Sequence, residues 1–354
     1  MIDARAPRCR AVCLLPLLAA ISLVGCSPVA PLTPTADPTT RESSAIASEP
    51  AVTVGPTRLE HRTDQVVVTG EPIAIEDLSG RIVFDDFEDV FAMDVDGSNL
   101  VRVADEPGAE FDGAWSPNGR WVVYRDSTRG INENDEIFIA RADGSERRNL
   151  TNHPANDWGP DWSPDGSTVV FNSDRDGGAI RGYLVGPDGS NLRRIEVDAW
   201  VEYPAFSPDG KQIAFMGALG SNYEVFVANL ASGAVTRLTD SPGHDAWPVW
   251  SPDGSTIAFK SVRDDCRIAP RDRDCWRGGP EDEHEDIWLM QADGSNARRV
   301  TPEFGQFVAW SPDGDHLLIS GHGLFVVRPD GTGRLELRAS GIPTALGGMP
   351  DWRW

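Results

Sequence analysis

The chain has 354 residues, of which 35 are glycine, 27 are proline and 40% are hydrophobic. This length suits one large all-β domain or two ordinary domains, and the many glycines and prolines indicate frequent turns and argue against a helical protein. A net charge of −23 repels phosphate backbones and anionic lipid headgroups. The composition therefore argues against nucleic-acid binding, and it leaves an anchor as the expected route to a membrane.

Residues 1–25 are typical of an export signal. Three arginines fall within the first ten residues, and a short apolar run then ends at Leu23-Val24-Gly25-Cys26. The run is too short to span a bilayer comfortably, which favours a cleaved signal. Its ending resembles the lipobox of bacterial lipoproteins, in which the cysteine is lipidated and becomes the mature N-terminus. The resemblance implies lipid attachment at Cys26, and an ordinary signal peptide with a chance cysteine is the alternative.

Residues 26–78 are predicted to be a lipid-anchored flexible linker. The part up to Pro50 consists mostly of proline, threonine, serine and alanine, which cannot bury enough apolar surface to fold. Beyond it, Gln65-Val66-Val67-Val68 is either an extra strand or more of the tether. We expect the protein to be exported and anchored to the cell membrane or outer membrane, facing the periplasm or the exterior.

Two further cysteines, Cys266 and Cys275, remain in the mature chain beside Cys26. An even pair in an exported, oxidising compartment predicts a local disulfide. Two free thiols or a metal-binding pair are the alternatives, although no Cys-x-x-Cys or Cys-x-x-His spacing supports a zinc site.

A tetrapeptide, Ser-Pro-Asp/Asn-Gly, recurs five times, each time directly after an aromatic residue. Its serines are Ser116, Ser163, Ser207, Ser251 and Ser311. Proline presets φ and glycine accepts a positive φ, so each copy predicts a tight turn. An apolar strand follows each turn. Two more strands, together with the strand that ends at the aromatic residue, complete a repeat of roughly 44 residues. Four strands at this period indicate a β-propeller blade.

The repeats predict an all-β fold over residues 79–354, a six-bladed β-propeller of four-stranded blades. Residues 80–103 supply three strands of a first blade but lack the strand that carries the aromatic. Pro350-Asp351-Trp352 mirrors Pro160-Asp161-Trp162 and supplies that strand. The C-terminal strand is therefore expected to close blade 1 and to cover two otherwise exposed edges.

The Trp-Ser-Pro-Asp-Gly repeats, preceded by Leu-Thr and Asp-x-x-Pro, resemble the TolB-type, WD40-like β-propeller repeat family. The clearest stretches are 150–166 and 238–254, and the resemblance extends from Gly80 to Trp354. It implies the fold, whereas such blades serve binding proteins and enzyme accessory domains alike. TolB itself carries a separate N-terminal α/β domain and is a soluble periplasmic protein, unlike a chain with a lipobox and a tether.

Acidic and aromatic residues align at the start of the innermost strands, near one mouth of the predicted channel. This candidate binding rim comprises Glu110, Phe111, Asp157, Trp158, Glu202, Tyr203, Asp245, Trp247 and Phe307. It suits a basic peptide, an organic cation or a sugar stacked on a ring face. The alternative is that the aromatics pack between blades while the acids are solvated.

The fifth blade carries an insertion of about 16 residues that is rich in carboxylates. Weak candidates for Ca²⁺ ligands are Glu281, Asp282, Glu283, Glu285 and Asp286. A solvated charged loop is the alternative, and no other cofactor is expected.

Common catalytic motifs are missing from the sequence, which has no Gly-x-Ser-x-Gly, His-Glu-x-x-His or P-loop. We therefore expect a monomeric, non-catalytic propeller that binds an envelope protein or peptide as a scaffold. The alternative is a carbohydrate-binding or carbohydrate-active propeller, of lyase or hydrolase type, that uses channel acids and aromatics.

Overall fold

A computed structural model describes residues 71–104, 107–127, 134–220, 222–263, 285–301, 305–321, 323–337 and 348–354. These ranges hold one short 3₁₀ turn, Ile75–Asp77, and six four-stranded antiparallel sheets. No helix in this part of the chain has the length and apolar character needed to cross a membrane. Cys26, Cys266, Cys275 and residues 281–284 lie outside the described ranges, so the lipid, the disulfide and most of the calcium site stay predictions.

Each sheet is one blade, and the strands are numbered in chain order. Blade 1 has β1 (Arg81–Asp85), β2 (Val90–Asp94), β3 (Val101–Ala104) and the last strand, β24 (Asp351–Arg353), and blade 2 has β4 (Glu110–Trp115), β5 (Trp121–Asp126), β6 (Glu136–Arg141) and β7 (Arg148–Asn149). Blade 3 has β8 (Asp157–Trp162), β9 (Val169–Asp176), β10 (Ala179–Val185) and β11 (Arg193–Arg194), and blade 4 has β12 (Glu202–Phe206), β13 (Gln212–Leu219), β14 (Asn222–Asn229) and β15 (Val235–Arg237). Blade 5 has β16 (Asp245–Trp250), β17 (Thr256–Ser261), β18 (Asp286–Gln291) and β19 (Arg298–Arg299), and blade 6 has β20 (Phe307–Trp310), β21 (Leu317–Ser320), β22 (Leu324–Val327) and β23 (Arg334–Leu337).

The six inner strands form a closed ring. Strands β4, β8, β12, β16, β20 and β24 contact one another in that order, and β24 contacts β4. Strand β24 pairs antiparallel with β1, and the Trp352 indole N–H donates to the Ser79 carbonyl over 2.9 Å. The six-bladed propeller closed by the C-terminal strand is thus confirmed.

The repeated tetrapeptide forms the turn between the first two strands of blades 2 to 6. In blade 3 the Ser163 hydroxyl donates to Asp165 Oδ1 over 2.7 Å and accepts the Thr168 N–H at 3.0 Å. Asn118 takes the aspartate's place in blade 2, where the Ser116 hydroxyl lies 3.0 Å from its Oδ1. The serine and the acid or amide therefore close each turn locally. We call this end of the propeller the turn face, and the opposite end, where the inner strands begin, the strand-start face.

The hydrophobic core lies between the blades. One cluster joins Val123 and Ile137 of blade 2 to Trp162 and Phe171 of blade 3. The second strands are buried on both faces, as continuous apolar runs predict. Ile73, within the predicted linker, is 5% exposed and packs in the cluster of blades 1 and 6.

Candidate functional site

Four consecutive inner strands carry an irregularity at the same position, four residues before the turn serine. Asp112, Gly159, Tyr203 and Trp247 have φ values of 56°, 60°, 47° and 50°, and the strand register slips at each. The Tyr203 N–H points to the preceding blade, where Asn172 Oδ1 accepts it at 3.0 Å. A left-handed backbone is unfavourable for tyrosine and tryptophan, and residues with such strain cluster at the functional sites of proteins.

The acidic rim residues open their inner strands at the predicted positions, but Glu110, Asp157 and Asp245 are fully buried. Arg175 Nη2 donates to both carboxylate oxygens of Asp157, at 2.9 and 2.8 Å. Arg263 Nη2 and Ser261 Oγ each donate to Asp245 over 2.6 Å. Each contact joins the first two strands of one blade, and the ligand-binding role of the acids stays a prediction.

Glu202 differs from the other acids because it is half-buried and is held by indole groups. Trp200 Nε1 donates to Glu202 Oε2 over 3.0 Å, and Trp158 is a second hydrogen-bonding neighbour. Burial raises the pKa of Glu202 despite these hydrogen bonds. The cluster places two half-buried indoles at the start of β8 and β12, on the strand-start face.

The aromatic rim residues divide into two groups. Tyr203, Trp247 and Phe307 form an arc, with ring centroids 5.6 and 5.2 Å apart. Phe111 is buried, and its ring lies 6.4 Å from that of Phe87, which is 51% exposed. Phe87 also has a left-handed φ of 68°. The loop after β1 thus presents an exposed aromatic side chain to solvent on the strand-start face.

A cavity of about 320 Å³ occupies the channel between these irregular positions and the turn face. Turn prolines line it at Pro117, Pro164, Pro208, Pro252 and Pro312. Of the nine predicted rim residues, all of which are described, only Tyr203 lines this cavity. The sequence interpretation missed the charged residues that do so.

Those missed residues are Asp112, Asp161, Asp351 and Arg353. Asp161 Oδ2 accepts the Phe206 N–H and Asp351 Oδ2 accepts the Trp115 N–H, both over 2.8 Å, so each links two blades. Burial raises the pKa of Asp161 to about 6, against the attraction of Arg353. The repeated Pro-Asp-Trp tripeptide was the available signal for these two aspartates.

A second charged group surrounds Arg125, beside the inner end of the cavity. Its Nη1 lies 3.7 Å from Asp112 Oδ2 and its Nε lies 3.8 Å from Asp135 Oδ2. Burial, together with the nearby Asp112 charge, raises the pKa of Asp85 to about 8. Within the described ranges, Asp112 Oδ2 and Arg125 Nε are buried and have no hydrogen-bond partner. These two atoms are therefore held by ion pairs of 3.7 and 3.8 Å and not by hydrogen bonds.

The two described members of the predicted calcium cluster contact basic residues. Glu285 forms an ion pair with Lys260, and Asp286 Oδ2 lies 3.3 Å from Arg299 Nη1. No group of three or more His, Cys, Asp or Glu in the described part of the chain could hold a metal ion.

Comparison with known proteins agrees with this architecture. The sequence model of the TolB beta propeller domain matches residues 80–203 and 196–266, more than half of the chain. The chain belongs to the TolB β-propeller domain family. An uncharacterized protein of Agrobacterium fabrum is 29% identical to this TolB-family chain over 117 residues, which are 32% of this chain and 36% of that protein. The chain thus spans about a third of that curated relative.

Solved structures share the fold of this TolB-family propeller. TolB from Acinetobacter baumannii gives a TM-score of 0.61 at 20% identity, covering 80% of this chain and 68% of that one. A putative TolB from Agrobacterium tumefaciens gives 0.57 at 20% identity, covering 74% and 88%. A chain of a nidogen/laminin complex gives 0.60 at 10% identity, covering 77% and 98%.

Proposed function

We propose that this TolB-family propeller is an exported, lipid-anchored scaffold of the cell envelope that binds a protein or peptide on its strand-start face. The observation that carries the proposal is Phe87, an aromatic side chain that is 51% exposed and stacks edge-on against the buried Phe111. Exposed aromatics on ordered backbone are typical anchors of protein interfaces.

The loop that carries Phe87 is held by local hydrogen bonds. Asp86 Oδ1 accepts the backbone N–H groups of Glu88 and Asp89 at 3.1 and 2.8 Å, and Asp85 Oδ1 accepts that of Phe87 at 3.3 Å. A pre-ordered loop loses little conformational entropy when a partner binds. This supports a contact surface rather than a chance exposure.

The half-buried indoles of Trp158 and Trp200 extend the proposed surface. Tryptophan combines a large apolar area with one hydrogen-bond donor, and it is enriched in interface hot spots. The net charge of −23 favours a partner with a basic contact face, because opposite charges speed association. The nidogen/laminin neighbour provides a case of this architecture within a protein complex.

The carbohydrate-active alternative gains no support from the rim acids. Both carboxylate oxygens of Asp157 accept hydrogen bonds from Arg175, and those of Asp245 accept from Ser261 and Arg263. Because these two acids are fully buried and already bonded, neither reaches a glycosidic oxygen in the channel. We therefore retain the binding function.

The test is site-specific photocrosslinking in intact envelopes. A photoreactive phenylalanine analogue at position 87 should yield a discrete crosslinked species, and a Trp158→Ala, Trp200→Ala double variant should weaken it. The matched control is the same analogue at Leu192, which is 43% exposed beside β11 near the turn face. Equal crosslinking at both positions, or none at position 87, would argue against the proposed surface.

A further inference from the structure

We propose that the channel cavity is a binding site for an organic cation, a primary ammonium or guanidinium group on a slender aliphatic stem, which enters from the turn face. This site goes beyond the proposed function, because it lies in the channel and not on the surface around Phe87. Its ligand could be a free amine or a basic side chain of a partner, since both present the same chemistry.

Charge in the cavity is the first argument. Three carboxylates line it, those of Asp112, Asp161 and Asp351, against the single guanidinium of Arg353. Behind the wall, Arg125 lies between Asp112 and Asp135, at 3.7 and 3.8 Å, so that its charge is shared. Carboxylates in a poorly solvated channel either take up protons or gain a cation. The cavity is therefore complementary to a positively charged group and repels an anion.

Arg353 is an example of a guanidinium group held beside these carboxylates. Its guanidinium Nε lies 3.4 Å from Asp351 Oδ2, and the charges of Asp351 and Asp161 both raise its pKa. A basic group on a methylene stem is thus already accommodated near the turn face.

Deeper in the channel, Asp112 Oδ2 is buried and accepts no hydrogen bond from the described residues. Its charged neighbour, Arg125 Nη1, lies 3.7 Å away, beyond hydrogen-bond distance. Tyr203 lies in the same wall, where burial and then the nearby Asp112 charge raise the pKa of its phenol. A donor-rich head group would satisfy this oxygen, and a buried acceptor left without a donor is otherwise unfavourable.

The walls between the charged ends favour an organic ligand over a metal ion. Pro160, Pro204 and Pro248 contribute apolar surface on three successive blades, against which a methylene stem can pack. The carboxylates are spread out, and in the described ranges no three acidic, His or Cys side chains are close enough together to bind a metal. The volume of about 320 Å³ falls at the lower end of ordinary small-molecule sites.

The proposal is tested by titration calorimetry of the full-length protein with cadaverine, agmatine and a lysine-containing tetrapeptide, at constant ionic strength. We expect saturable binding of at least one of them. Asp112→Asn and Asp161→Asn should each weaken it about tenfold or more, because they remove charge while keeping an acceptor oxygen. A peptide that binds best assigns the site to a partner's side chain, and a diamine that binds best assigns it to a free amine.

The matched control is Asp165→Asn, which removes one exposed charge from the same face and reproduces the native asparagine turn of blade 2. It should leave amine affinity unchanged. Ala205→Leu is a second test, because it fills the cavity without changing charge and should also abolish binding. The proposal is overturned if no amine binds wild type, if Ca²⁺ alone binds, or if Asp165→Asn weakens binding as much as Asp161→Asn does.

Discussion

Arg175 and Asp157 form a closed ion pair across two neighbouring strands of blade 3. Arg175 Nη2 lies 2.9 and 2.8 Å from the two carboxylate oxygens, and its Nε donates to Ser173 Oγ over 2.9 Å. Asp245, Ser261 and Arg263 repeat the arrangement in blade 5. The pairs anchor the start of an inner strand to the end of the next, so they belong to the framework of the channel.

Removal of one partner of this pair should destabilise the fold. Asp157→Ala leaves Arg175, whose side chain is only 9% exposed, without its carboxylate. We expect the free energy of unfolding to fall by about 3–5 kcal/mol in urea denaturation. Asp165→Asn, at an exposed turn, should change it by less than about 0.5 kcal/mol. An Asp157→Ala variant as stable as that control would show that the ion pair contributes nothing to the free energy of unfolding.

The fold could be predicted from the sequence because each turn is determined locally. Serine, proline, aspartate and glycine close the turn through their own contacts, so their spacing reports the number of blades. The missing strand of blade 1 and the unmatched Pro350-Asp351-Trp352 then left one way to close the ring.

The site could be predicted only in part. The rim residues lie at the expected starts of the inner strands, but a regular strand would direct Asp157 and Gly159 to the same face. The register slip at Gly159 breaks that alternation, so Asp157 is buried while Gly159 lines the cavity. Tyr203 and Trp247 also have a left-handed backbone, but the sequence has no glycine at these positions to indicate it. The recurrence of Ser-x-Arg at Ser173 and Ser261 was the signal that could have identified the partners of the acids.

The buried carboxyl of Asp85 should make stability fall as pH rises. Burial, and then the neighbouring Asp112, raises its pKa in the folded protein from 3.8 to about 8. Between these values the folded chain holds a proton that the unfolded chain has released, so this stabilisation is complete below pH 4 and is lost as pH rises through 8.

Asp85→Asn should remove that pH dependence, because an amide does not titrate and its oxygen can still accept the Asp112 N–H. We expect the difference in free energy of unfolding between pH 5 and pH 8 to shrink by about 2–4 kcal/mol relative to wild type. The control is Asp165→Asn, because hydrogen bonds from Ser163 and Ser167 lower the pKa of Asp165. This variant should leave the difference in free energy of unfolding between pH 5 and pH 8 unchanged. Parallel pH profiles for wild type and Asp85→Asn would contradict the assignment.

Lipid attachment at Cys26 should decide where the protein is found. Because the surface carries strong negative charge, we expect no membrane retention without the lipid. Cys26→Ser should abolish incorporation of an alkyne-labelled fatty acid and release the protein from the membrane fraction. Cys266→Ser should keep both label and location. A labelled Cys26→Ser variant would place the lipid elsewhere.

Gly159 should tolerate a side chain less well than its conformation alone predicts. Its φ is 60°, and an added Cβ would lie 2.8 Å from Asn172 Oδ1 and 3.2 Å from Tyr203 Cα. Gly177 is the matched control, with a φ of 72° and open space around the added carbon. Both alanine variants lose about 1 kcal/mol through the left-handed backbone, and Gly159→Ala should lose at least about 1 kcal/mol more through crowding, as measured by urea denaturation. Because Asn172 accepts the Tyr203 N–H, the crowding should also disturb the cavity wall. Equal losses of stability in the two variants would mean that the cavity wall adjusts to the added carbon at Gly159 without a cost in free energy.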